Sequence, residues 1–309
     1  MAESDRILDR ELSRAATTEV RQVGAPLLRE VVDYGIAAFQ RCSATATGLD
    51  TPLGVLFPFL HFVEMLDATE VLLDVAAVAP GHVTLRSAFE AELQFEYVAS
   101  AETERRGAAY VVAEVHRRID LVDRFDPETA KGKNVAATMA NDRIGAGITI
   151  PIFPDLEEKR TRLQSILKKP HLAEAAQEYE RTRTATGRHP PFYHLWGGPA
   201  NIEQLARVVG RSGQYEVLYR QWSRTAHAAD LSRQLSALDG EPALARFRNG
   251  VGLDTAYTLA ISLGLGAIRL LLRTYRPQEL VPTFRNWYLE RIGPGFTRLS
   301  PSLANEQAV

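Results

Sequence analysis

Leu85-Arg86-Ser87-Ala88-Phe89-Glu90-Ala91-Glu92-Leu93-Gln94-Phe95-Glu96-Tyr97 is the stretch whose reading decides the fold class. Leu85, Phe89, Leu93 and Tyr97 return every fourth position, the period of one face of an α-helix. Carried outward, the same period predicts a helix over 82–99. It is preceded by one from Leu53 to Val78 with Leu60, Val63, Leu66, Val71, Leu72 and Val75 on its apolar face, which Ala79-Pro80-Gly81 stops.

The rest of the chain repeats at three to four residues and not at two, so the reading is all-α, a single multi-helix bundle domain over residues 1–309. Residues 5–46 predict a long first helix broken or bent at Gly24-Ala25-Pro26, because Pro26 has no N–H for the ladder. Ser100 or Thr103 is the expected cap of a fourth helix reaching about Val122, with Glu102 and Glu104 at its positive end. From 124 to 156 the pattern dissolves among Pro127, Gly132, Gly145, Gly147, Pro151 and Pro154, which predicts a long irregular insertion, a lid or an excursion of the loop. A charged, solvent-facing helix or helix pair over 155–184, broken near Lys169-Pro170, leads to the aromatic connector 187–199. Further helices are predicted at 201–210, 214–238, 253–275 and 277–292.

Composition narrows the function. Lys+Arg 36 against Asp+Glu 38 gives a net charge of -2, so there is no global basic field for nucleic acid or an anionic membrane. The single Cys42 rules out an internal disulfide and a cysteine-rich zinc site, and fits a cytoplasmic protein. The N-terminus lacks the basic-then-apolar pattern of a signal peptide. The apolar run Thr255–Leu272 is interrupted by Arg269 and falls short of the ~20 residues of a membrane span, so it reads as a buried core helix. Gly264 and Gly266 within it predict close approach of a neighbouring helix. No membrane partner is expected.

The densest chemistry lies in Tyr215-Glu-Val-Leu-Tyr219-Arg220-Gln-Trp222-Ser223-Arg224-Thr-Ala-His227. Seven steps of a helix return a side chain to nearly the same bearing, so Arg220 and His227 share a face, and the reading adds Ser223 and Tyr219 to it. Arg86 and Glu90, four apart, pair at the edge of the apolar stripe. Either these groups form a structural network that holds helices in register, or Arg86 and Glu90 orient an acid/base site across the bundle.

Leu85-Arg86-Ser-x-x-Glu90, Tyr110, Trp196, Ile202-Glu-Gln-Leu-Ala206-x-x-x-Gly210, Tyr215-x-x-x-Tyr219 and Ser223-x-x-x-His227 together resemble a widespread bacterial helical family of unknown function, over about residues 50–240. The resemblance implies an all-α fold and a shared polar network at Arg86, Glu90, Trp196, Ser223 and His227, and no activity. The Arg220/His227 pair is also similar, at the outer limit of its spacing, to the HEPN superfamily of helical RNases. That similarity implies metal-independent cleavage of RNA by a homodimer, with His227 as acid or base and Arg220 on the phosphate. Gln221 departs from the Asn commoner after that Arg.

Other chemistries fit less well. A classical di-iron bundle needs Glu-x-x-His on two helices, which the chain lacks; a nonstandard metal site is left to Glu64, Glu90, His116, His227 and Asp230. Ser223, His227 and Asp230 have the residue types of a hydrolase triad but lie on one predicted helix without a nucleophile turn. Ile202–Ser212 opens like a helix-turn-helix, but Glu216 stands where an apolar docking residue belongs. No cofactor is expected, with a metal ion left open. The candidate partners are RNA, a small molecule and a second copy of the chain. Two functions therefore stand beside RNA cleavage: a non-catalytic helical binding protein, and a non-haem metal enzyme.

Overall fold

A computed structural model of the chain describes residues 7–46, 53–148, 153–227, 235–238 and 241–299. The all-α reading holds. The helices are α1 Arg10–Ala16, α2 Thr18–Thr45, α3 Leu53–Asp74, α4 Val78–Ser100, α5 Thr103–Phe125, α6 Ala130–Asn141, α7 Leu156–Leu167 and α8 Ala173–Thr186. They continue with α9 Ile202–Val208, α10 Ser212–Gln214, α11 Arg220–Ala226, α12 Leu253–Tyr275 and α13 Gly293–Leu299. One antiparallel hairpin interrupts them, β1 Leu235–Leu238 paired with β2 Glu241–Leu244, Leu235 opposite Leu244. The chain divides into two compact units where the sequence reads as one domain: residues 1–49, 55–101 and 202–309, and residues 50–54 and 102–201.

The first unit is organised on α12, which packs against α2 and α4, while α4 also carries α9 and α11. Glycines set the α2–α12 crossing. A methyl group on Gly24 would stand 2.4 Å from the Tyr257 ring, and one on Gly264 would stand 2.4 Å from Val31 Cγ1. Glycine costs a helix about 1 kcal/mol relative to Ala, and the packing it permits offsets that. Phe59, Phe62, Leu66, Leu85, Phe89, Phe95 and Ile268 are sealed from solvent, each worth roughly 1.5–3 kcal/mol relative to exposure. By length and composition α12 could cross a membrane, yet 67% of its apolar window is buried inside the fold, as expected of a core helix.

The second unit gathers α6, α7, α8 and a 3-10 segment, Phe192–Gly197, around α5. Glu178, buried on α8, accepts the Trp196 N–H at 2.8 Å and the Thr182 hydroxyl at 3.1 Å, and pairs with Arg181. Arg181 chiefly, and then the Trp196 N–H, hold its carboxyl down at about 2 against the effect of burial. Trp196 is held in left-handed backbone, φ 56°, with the Arg105 guanidinium 4.1 Å from its ring centre.

Three expectations are corrected. Within 124–156, Ala130–Asn141 is helical: Thr129 caps it by accepting the Gly132 N–H, and a methyl on Gly132 would fall 1.8 Å from Asp126 O. The glycine that reads as a breaker is there for a close backbone approach. The N-terminal break falls at Thr17, and α2 runs on through Pro26. The helix predicted over 214–238 ends at Ala226, and Leu235–Leu238 pairs with Glu241–Leu244 in the hairpin. A smaller difference concerns α5, whose N-cap is Glu102 in left-handed backbone, where the sequence pointed to Ser100 or Thr103.

Candidate functional site

Two polar clusters sit on α4 in the first unit, two turns apart. The upper one joins three residues that the sequence singled out. The Arg86 guanidinium lies 3.1 Å from Glu90 Oε1 and donates to the Tyr219 hydroxyl at 3.0 Å, and that hydroxyl donates to Glu90 Oε1 at 2.8 Å. Arg86 also covers the Tyr219 ring at 5.0 Å. Burial is the main reason that the Tyr219 phenol is pushed up to about 12. Three groups bonded to one another in this way brace Tyr219 against α4, with the buried Arg86 Nε left without a hydrogen-bond partner.

Arg220 and His227 are not part of that brace. Tyr219 is buried and Arg220, one 100° step further round the helix, is exposed, so the two cannot share a face. Arg220 pairs with Glu216 at 2.8 Å and Glu203 at 3.5 Å and lies over the Tyr215 ring. His227 is the exposed C-cap of α11, its backbone N–H bonded to Ser223 O, and Ser223 is half-buried. The inward face of the run instead carries Trp222, which is buried and lies 6.3 Å from the His82 ring, a histidine the sequence reading passed over.

The metal set is not assembled. Glu64 is exposed and faces His61 at 3.3 Å, Glu90 is held in the brace, and His116 belongs to the second unit, its ring stacked 4.1 Å from Tyr179. Asp230 lies outside the described residues. Among those described, no three His, Cys, Asp or Glu side chains form a metal-binding group. Trp196 is likewise a residue of the second unit.

The lower cluster is the one that sequence reasoning missed. Glu92, 3% exposed, receives the Arg211 guanidinium through two contacts of 3.2 and 3.1 Å, and Arg211 reaches Glu96 at 3.1 Å. Burial pushes the Glu92 carboxyl up to about 7, with Arg211 opposing. The cluster lines a groove of about 630 Å³ together with Ser262, Gly266, Arg269 and Arg273 of α12. The facing wall is the π-helical segment Leu280–Arg285 and its continuation, with Val281, Phe284, Tyr288 and Leu289 on the groove. Gly266 leaves the floor open: a methyl there would be 3.6 Å from Glu92 Oε1. The one sequence signal was Arg269, read as an interruption of an apolar run.

The chain belongs to the DUF5677 family, a family of unknown function, whose model matches residues 55–242. No curated protein and no solved structure matches it. Within DUF5677 the matched span holds both clusters of α4 and their partners Arg211 and Tyr219. The α12 wall and the 280–289 wall of the groove lie beyond it.

Proposed function

We propose that this DUF5677 protein is a non-catalytic binding protein that takes a small molecule with an apolar body and a polar end in the groove between α12 and residues 280–289. One observation carries the reading: a groove of about 630 Å³ whose lining joins apolar side chains to a buried carboxylate and its arginine. Ligand sites run to roughly 300–1,000 Å³, mostly apolar with a few convergent polar groups. The Arg86/Glu90/Tyr219 brace then keeps α11 on α4 and is structural. The test is displacement of the neutral probe N-phenyl-1-naphthylamine. Gly266→Phe fills the floor of the groove from an exposed position, so probe binding is expected to disappear while the circular dichroism spectrum is kept. Unchanged binding in that variant would place the ligand elsewhere.

RNA cleavage by a homodimer is a second reading, favoured by the exposure of both Arg220 and His227. Against it, Glu216 and Glu203 already occupy the guanidinium that would hold the phosphate. On this reading His227→Ala abolishes cleavage of a labelled RNA by the purified protein with the melting temperature unchanged. Equal cleavage by both proteins removes His227 from the chemistry.

A further inference from the structure

The groove carries more positive charge than its own carboxylates can use. Glu92 and Glu96 are both committed to Arg211. Arg269, Arg273 and Arg285 line the same groove, are exposed, and have no carboxylate partner among the described residues. Arg269 and Arg273 stand four apart on α12, where like charges repel across one turn by a few tenths of a kcal/mol. Arg273 lies in the last turn of the helix, where the helix dipole favours a cation. That accounts for neither Arg269, a turn earlier, nor Arg285 on the opposite wall. Beside these guanidiniums the wall exposes Val281 by 64% and Leu289 by 53%, so apolar surface and unpaired cations alternate around one cavity.

We infer that the ligand is an anionic amphiphile, a hydrocarbon chain or ring system ending in a carboxylate or phosphate, whose head is held by Arg269, Arg273 and Arg285 while its body lies against Leu270, Val281 and Leu289. The inference rests on the proposed binding function and adds the sign of the charge. Guanidinium is suited to this head because its planar fork meets two oxygens at once, and such charge-assisted bonds are about twice as strong as neutral ones. Arg211 is already shared by Glu92 and Glu96 and offers an anion nothing further, so the head is placed on Arg269, Arg273 and Arg285.

The experiment is calorimetric titration of the full chain with decanoate, decyl phosphate, 1-decanol and decyltrimethylammonium, each below its micellar concentration. Either anion is expected to bind about tenfold or more tightly than decanol, and the cation more weakly than decanol. Arg269→Glu/Arg273→Glu is expected to remove the preference for the anion while the circular dichroism spectrum and melting temperature are kept, which shows that the fold is intact. Decanol binding as tightly as both anions, or a preference that survives the double reversal, overturns the inference and leaves the binding reading standing. Binding of none of the four by a protein that also ignores the neutral probe removes the binding reading itself.

Discussion

The two clusters of α4 use the same residue types to opposite ends. In the upper one an arginine, a glutamate and a tyrosine bond one another in a closed triangle. In the lower one a glutamate is buried more deeply, its arginine is shared with a second glutamate, and the pair lines an open groove with three further arginines. A closed network stabilises; an arrangement with surplus charge beside apolar surface suits the ligand proposed for it. The difference lies in arithmetic of charge and in access, and residue identity does not report either.

Substitutions should separate the clusters by size of effect. The largest loss is expected for Arg211→Met, which strands the Glu92 carboxylate in the interior; breaking a buried pair on one side costs about 3–5 kcal/mol, read by urea denaturation. Tyr219→Phe takes away the hydroxyl that bridges Arg86 and Glu90, both partly wetted, and should cost about 1–2 kcal/mol with probe binding unchanged. A loss of binding in that variant would mean that the brace and the groove are one site. Arg220→Ala and His227→Ala change exposed side chains and should move stability by no more than about 0.5 kcal/mol.

Acidity offers another contrast. The Glu92 carboxyl titrates at about 7 in the fold against 4.5 in the unfolded chain, so the native state holds the extra proton in that window. Its contribution is therefore full below pH 4.5 and is lost as pH rises through 7. Glu92→Gln should flatten that part of the stability curve. His116 in the second unit works in the other direction: burial lowers it below 6.5, so its neutral form supports the fold at higher pH and that support is lost as pH falls beneath 6.5. Substituting His116 by Gln should blunt the acid arm alone.

The fold was legible where periodicity is strong. Leu85, Phe89, Leu93 and Tyr97 gave α4 within a turn, and α12 falls at 253–275 as its apolar run required. Gly132 was misread because a glycine needed for close packing looks, in a sequence, like one needed for a turn. The brace was legible in part: Arg86 and Glu90 declare themselves by a spacing of four, and Tyr219 was assigned to the same stripe as Arg220 when it lies inward of it. The groove was not legible. Glu92, Arg211, Arg269 and Arg285 come from four separate stretches, and the packing of α9 and α12 on α4, and of residues 280–285 on α12, brings them to one cavity.

The central claim is that the α12 groove is the binding site, and that the Arg220/His227 face is not. Hydrogen exchange by mass spectrometry, with and without decyl phosphate, tests it directly. The account predicts slowed exchange in peptides covering 262–273 and 280–289, with 215–227 unchanged. Protection confined to 215–227 would contradict it.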